Sequence, residues 1–182
     1  MLAEDVERTL IGANTIQERI RELGAQVSRD YAGQDLLLLC VLKGGIVFLT
    51  DLMRCISIPH EIEFMAVSSY GAATESSGIV RIVMDLKTSI QDRNVLIVED
   101  IVDTGYTLTY IRNLLLQRGP KTVRICALLS KTERRRVDIH LDYLGFDIPN
   151  EFVIGYGLDF NEHYRNLPFV GVLKPELYRK PD

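Results

Sequence analysis

Cysteine is scarce in this chain, with three among 182 residues, at Cys40, Cys55 and Cys126. They are odd in number and far apart. No C-x-x-C pair or His-Cys cluster exists, so neither a disulfide framework nor a zinc or redox site is indicated. Cys40 and Cys126 stand inside apolar runs and read as small buried hydrophobes kept reduced. No run approaches the length of a membrane span. The start, Met1-Leu2-Ala3-Glu4-Asp5, lacks the basic-then-apolar order of a secretion signal, so a cytoplasmic location is expected. An excess of positive charge is missing too. Lys and Arg number 21 against 25 Asp and Glu, a formal net charge of −4, which argues against nucleic acid or anionic membrane as a partner. The cluster Lys131-Thr132-Glu133-Arg134-Arg135-Arg136 is local, and Arg134 to Arg136 read as a solvated loop. Gly-x-x-x-x-Gly-Lys-(Ser/Thr) is absent, which excludes a P-loop nucleotide hydrolase. There is no internal repeat and no low-complexity linker.

What is present is enough apolar material, 47% of residues, for the core of one domain. Thr15-Ile16-Gln17-Glu18 fits a helix capping box, and Ile16, Ile20, Leu23, Val27 and Tyr31 follow at helical spacing. Asp35 to Leu42 is a continuous apolar run of strand length, the mark of a strand buried on both faces. Gly44-Gly45 breaks it, and a short helix is expected over Ile46 to Arg54. A strand follows from Glu61 to Ser68. Ser69 to Gly78 is small and polar and reads as a mobile connector to a return strand over Gly78 to Met84. Gly119-Pro120 stops a helix expected over Leu108 to Arg118, and Thr122 to Ser130 is another buried strand. Past Asp138, glycines, prolines and short apolar runs suggest irregular, strand-rich structure. Strands alternating with helices predict an α/β fold, a parallel sheet with helices on both faces. Ligands in such folds sit at the carboxyl ends of the strands. That rule gathers Lys43, Glu99, Asp100, Asp103 and Lys131 along one edge.

The most informative stretch is Val95-Leu96-Ile97-Val98-Glu99-Asp100-Ile101-Val102-Asp103-Thr104-Gly105-Tyr106-Thr107. An apolar strand ends in two adjacent acids, a third follows, and a small-residue loop leads into a helix. A helix start offers unpaired N–H groups and the positive end of a dipole, which is a phosphate site. Carboxylates beside it repel phosphate unless they do separate work. Holding sugar hydroxyls or Mg²⁺ is such work. The segment is therefore suited to a phosphorylated sugar with a metal; taken alone, it also fits a buried strand with a solvated acidic end.

This stretch resembles the 5-phosphoribosyl-1-pyrophosphate (PRPP) motif of the type I phosphoribosyltransferases. Leu42-Lys43-Gly44-Gly45, Ser68-Ser69-Tyr70-Gly71, Leu129-Ser130-Lys131 and Phe152-Val153-Ile154-Gly155-Tyr156-Gly157-Leu158-Asp159, running on to Arg165 and Pro168, stand in the same order as in that family's hypoxanthine-guanine branch of short bacterial type. The matching covers roughly Asp35 to Leu173. Tyr106 occupies a variable position, where backbone N–H groups do the binding. The resemblance implies the type I phosphoribosyltransferase fold, a central, mostly parallel twisted sheet flanked by helices. It implies a single domain, residues 1–182, with a small hood from approximately 1–15 and 140–182. It also implies a homodimer or homotetramer.

The reaction so implied joins N9 of hypoxanthine or guanine to C1 of PRPP, forming IMP or GMP and releasing pyrophosphate, with Mg²⁺ as cofactor. Positive charge develops on the ribose, as in glycoside cleavage. By the resemblance, Glu99 and Asp100 hold the ribose hydroxyls and support the metal. Asp103 accepts the N7 proton of the purine, although a helix N-cap is its ordinary reading and the two are compatible. Thr104, Gly105, Tyr106 and Thr107 wrap the 5-phosphate. Lys131 donates to the 6-oxo group, Phe152 stacks on the base and Val153 offers backbone contacts. Asp159 contacts the metal shell or the purine 2-position. Lys43, Gly44 and Arg165 contact pyrophosphate, and the Lys43–Gly44 peptide is expected cis or strained. Ser69 and Tyr70 belong to a lid. Without the resemblance, Lys131 and Arg165 read as surface side chains and Phe152 as core.

Two other classes compete. A phospho-receiver domain is faintly imitated by Val98-Glu99-Asp100 and Lys131, but its acidic pair belongs on the first strand, and several elements precede this one. A phosphoribosyltransferase-fold regulator that binds nucleic acid is opposed by the acidic net charge and the intact Asp103.

Overall fold

A computed structural model describes residues 2–69 and 80–178. After a short 3-10 turn, the elements run β1 (Val6–Ile11), α1 (Ala13–Asp30), β2 (Leu36–Leu42), α2 (Gly45–Cys55), β3 (Glu61–Ser69), β4 (Val80–Met84), β5 (Asn94–Val102), α3 (Tyr106–Leu116), β6 (Thr122–Ser130), β7 (Tyr143–Asp147), β8 (Val153–Ile154) and β9 (Val170–Leu173). The large sheet has the order β4-β3-β2-β5-β6-β7. Every pairing in it is parallel except β3 with β4.

Alternation within β2 shows why its run is apolar throughout. Leu36, Leu38 and Cys40 pack with the stripes of α1 and α2, while Leu37, Leu39 and Val41 pack on the opposite face with Leu108, Ile111 and Leu115 of α3. Successive strand residues point to opposite faces, so a strand covered by helices on both sides has no polar position. Truncating one of these leucines to alanine is expected to cost about 2–5 kcal/mol, the usual effect of a core cavity. Cys40 and Cys126 are buried free thiols. Burial is the first cause that pushes the Cys40 thiol up to about 12, so neither chemistry nor metal binding is expected of it.

Three local expectations are corrected. The helix expected from Thr15 starts at Ala13, with extended Gly12 as its N-cap and no side-chain cap; the buried stripe of Ile16, Ile20, Leu23 and Val27 holds it instead. The helix expected from Leu108 starts at Tyr106, because Gly105, at φ 87°, turns the chain directly into it. Tyr143–Asp147, expected in the hood, extends the large sheet by pairing parallel to β6. The second sheet is three-stranded, order β1-β9-β8, and joins residues near both ends of the chain. The expected lid, Ser69 to Gly78, lies outside the described residues, apart from the backbone of Ser69 as the end of β3. No helix among the described residues is long and apolar enough to cross a membrane.

Candidate active site

The carboxyl ends of β2, β5 and β6 open into a cleft of about 390 Å³, lined among others by Lys43, Gly44, Glu99, Asp100, Asp103, Thr107, Lys131, Phe152, Asp159 and Arg165. A smaller hollow of about 150 Å³ adjoins it, formed by Glu99 and the loop Ile101 to Leu108. The two share Glu99, Ile101, Asp103 and Thr107. Residues far apart in the chain thus converge on one edge, as the strand-end rule requires.

The hollow is shaped by Gly105. Its φ of 87° is left-handed, and a Cβ there would lie 2.9 Å from Cγ2 of Val137. The first backbone bond of α3 is Thr109 N–H to the Gly105 carbonyl at 3.0 Å. The preceding N–H groups of Tyr106, Thr107 and Leu108 have no place in the helix ladder, and Thr107 and Leu108 line the hollow at this positive helix end. Asp103, whose ordinary reading was an N-cap, does not cap this helix; Gly105 is the N-cap residue. Asp103 instead approaches Arg134, Oδ1 to Nε at 2.9 Å.

Glu99 and Asp100 end β5 beneath the cleft. Burial pushes the Glu99 carboxyl well above the usual carboxylate range, and the neighbouring charge of Asp100 adds to this. Its Oε2 is buried without a hydrogen-bond partner. Burial also raises Asp100 to about 6, against the opposing effects of backbone N–H donors and of Arg165. Oδ1 of Asp100 accepts from the Ile101 N–H at 2.8 Å. Gly44 is pressed against this carboxylate, since a Cβ at Gly44 would stand 1.7 Å from Asp100 Oδ2. Gly44 has ordinary helical dihedrals, φ −58° and ψ −42°, so space and not conformation demands glycine here. The cis peptide expected between Lys43 and Gly44 lies one bond earlier, between Leu42 and Lys43.

Lys131 follows β6 and is buried, at 7% exposure. Its ammonium makes no hydrogen bond or ion pair among the described residues. Burial lowers its pKa, Asp103 opposes that shift and Arg134 adds to it. An unpaired donor at the end of a buried side chain that lines the cleft suits a ligand acceptor. Phe152 and Val153 form the adjacent wall with Leu158 and Ile101.

The hood side carries the remaining charges. Arg165 Nη1 donates to the Gly157 carbonyl at 2.7 Å, and Nη2 lies 2.8 Å from Asp159 and 3.4 Å from Glu162. Lys43 Nζ reaches Glu162 at 3.1 Å. The backbone between is unusual, with Tyr156, Asn161, Glu162 and Tyr164 all at positive φ. Hydroxyl anchors hold it, Tyr156 to Asp51 of α2 and Tyr164 to Asp5 at 2.7 Å. Left-handed non-glycine residues cost energy and cluster at binding sites. Leu158, Ile101 and Glu162 belong to this constellation and carry no independent signal in the sequence. Leu158 and Glu162 stand inside the quoted tail pattern, which was the only pointer to them.

Residues 12–161 match the family model described as phosphoribosyl transferase domain. The chain is 50% identical to the hypoxanthine-guanine phosphoribosyltransferase of Mycobacterium bovis, over 96% of this chain and 90% of that protein. It is 48% identical to the protein of that name from Streptococcus thermophilus, over 99% of this chain and 100% of the other. The crystal structure of a hypoxanthine phosphoribosyltransferase from Staphylococcus aureus superposes with a TM-score of 0.95 at 46% identity, covering 98% of this chain and 97% of that one.

Proposed function

The chain belongs to the phosphoribosyl transferase domain family, and from that premise we propose that it transfers the 5-phosphoribosyl group of PRPP to N9 of a 6-oxopurine, hypoxanthine or guanine. IMP or GMP forms, and pyrophosphate leaves. The bond from C1 to the pyrophosphate oxygen breaks, the C1–N9 bond forms, and the purine N7 proton passes to Asp103. The observation that carries this reading is the joining of the helix-start hollow to the cleft that holds both Lys131 and the β5 carboxylates.

Each residue has a distinct task in that reaction. The N–H groups of Tyr106, Thr107 and Leu108 and the hydroxyls of Thr104 and Thr107 hold the 5-phosphate. Glu99 and Asp100 accept from the ribose hydroxyls. Lys131 donates to the 6-oxo group, and Phe152 and Leu158 enclose the ring. Asp103, 40% exposed at its side chain, is open enough to exchange its proton with solvent after transfer. Arg165 and the Lys43–Gly44 backbone receive pyrophosphate, for which the guanidinium fork is suited.

Among the described residues no group of three or more His, Cys, Asp or Glu forms a ready metal cage. The orphaned Oε2 of Glu99 and the raised pKa of Asp100 do fit a hard cation shared with substrate oxygens. Glu99 and Asp100, with Asp159 opposite, are the residues that would hold Mg²⁺. When bound it would neutralise charge building on the departing pyrophosphate.

Pyrophosphate release from PRPP, measured with hypoxanthine, guanine, xanthine and adenine with and without Mg²⁺, tests the proposal. Release with 6-oxopurines and not adenine is expected. PRPP binding without release under any of these conditions would favour a regulator on the same fold.

A further inference from the structure

Phe152 is held by two other rings. Tyr178 stacks on it with centroids 4.8 Å apart and planes at 23°, and Phe160 meets it edge-on at 5.6 Å and 89°. Phe152 lines the catalytic cleft, and Tyr178 does not. Tyr178 lines an adjoining cavity of about 350 Å³ with Val172 and Pro175, and this cavity shares Phe152 and Lys131 with the cleft. The Phe152 ring therefore lines the cleft while it is stacked on Tyr178.

The chain delivers Tyr178 to that place by backbone. The Leu173 N–H of β9 donates to the Phe152 carbonyl at 2.9 Å, so β9 is bonded to the residue whose ring Tyr178 later covers. Lys174 N–H then donates to the Asp5 carbonyl at 3.0 Å, and the turn Pro175–Leu177 closes with Tyr178 N–H to the Pro175 carbonyl at 3.2 Å. Five residues after leaving Phe152's backbone, the chain returns to its side chain.

We propose that Tyr178 is a positioning residue for the purine, one that fixes the Phe152 ring on which the base lies. The proposal rests on the purine reading of the cleft. Phe152 is only half-buried, and an unsupported ring at a cleft wall must be ordered afresh each time a ligand binds. Tyr178 removes that cost in advance. A stacking platform is blind to the exocyclic groups of the base. Tyr178 therefore sets the affinity for 6-oxopurines as a class, while Lys131 reads the 6-oxo group.

Kinetics with Tyr178→Leu and Tyr178→Phe test the positioning. Tyr178→Leu should raise KM for hypoxanthine and guanine by the same factor, about 3- to 10-fold, the size of one aromatic pair. KM for PRPP and kcat should not change, and Tyr178→Phe should restore both purine values. Equal rises in KM for purine and PRPP, or an unchanged purine KM, would overturn the proposal.

The chain contains no tryptophan, so Tyr178→Trp supplies a single fluorescent reporter against the platform. Its emission should shift when IMP binds and stay constant when ribose 5-phosphate binds, with both binding events confirmed by calorimetry. An emission indifferent to bound IMP would sink the positioning role and leave the proposed reaction standing. Failure of IMP and GMP to bind at all would remove the purine reading and this proposal with it.

Discussion

Two charged regions face the cleft, and they are satisfied to different degrees. At the end of β5, Glu99 and Asp100 are packed into the sheet edge, and burial holds both carboxyls above their usual range. Neither makes an ion pair within 4.0 Å among the described residues. Across from them, Lys43, Asp159, Glu162 and Arg165 already pair with one another at 2.8 to 3.4 Å. Glu162 is exposed, and its carboxyl is pulled down first by Lys43 and then by Arg165. Buried carboxylates without a counter-charge are costly, so burial favours the protonated carboxyls. Exposed ion pairs contribute little and are easily exchanged. Under the proposed reaction, substrate gains by completing the β5 end and loses little by re-pairing the hood.

That contrast can be broken at several points. The largest effect is expected from Asp103→Asn, which should lower turnover by about 10²–10⁴-fold, the usual range for a lost general base. PRPP affinity should be nearly unchanged, because Asn matches Asp in size and leaves the Gly105 turn and the start of α3 in place. Wild-type turnover would remove Asp103 from the chemistry. Gly44→Val drives a side chain into Asp100 and should cost at least about 10²-fold in kcat/KM, as displaced catalytic groups do. Lys43→Ala should keep much of the pyrophosphate affinity if the backbone does the binding. A tolerated Gly44→Val would contradict the close approach.

Lys131→Met should weaken hypoxanthine and guanine by roughly 1.5–3 kcal/mol, the value of a charged hydrogen bond, and leave PRPP alone. Equal losses for both substrates would make Lys131 a purely structural residue. Asp100→Asn should act in opposite directions on stability and binding. A carboxyl raised from 3.8 to about 6 is bound to its proton more tightly in the folded chain. Its stabilisation is therefore complete below about pH 4 and is lost as pH rises to about 6. Glu99, raised in the same direction by burial, adds to the decline. Urea midpoints of the ligand-free protein should fall across this window, and fall less in Asp100→Asn, which should also bind PRPP poorly. A pH-independent wild type would contradict the buried-charge account. The smallest effect is expected on the hood side, where Glu162→Gln should change KM for PRPP by less than about two-fold.

The same contrast separates what was legible in the sequence from what was not. The β5 end could be read because strand, acids, loop and helix start are consecutive, and Gly105 marks the one left-handed turn between them. The run Asp35 to Leu42 announces a strand covered on both faces, which forms over Leu36–Leu42. The hood could not be read from local pattern. Arg165 meets Asp159 across a loop in which Tyr156, Asn161, Glu162 and Tyr164 adopt positive φ, and of these only Asn161 favours it by propensity. The close approach of Asp100 to Gly44 is illegible for a similar reason, since Asp100 arrives from a strand more than fifty residues away. The Phe152–Tyr178 stack likewise joins a wall of the cleft to the C-terminal turn, and no spacing rule connects them.

The claim that substrate completes the β5 carboxylates has a direct readout in protons. PRPP with Mg²⁺ can be titrated into the wild type and Asp100→Asn by calorimetry at pH 6, in buffers of different ionisation enthalpy. With Asp100 raised to about 6 in the free protein, wild-type binding should release more protons than binding to the variant, because that carboxyl must ionise to hold the ligand. Equal proton release by the two proteins, with PRPP bound to both, would contradict the account.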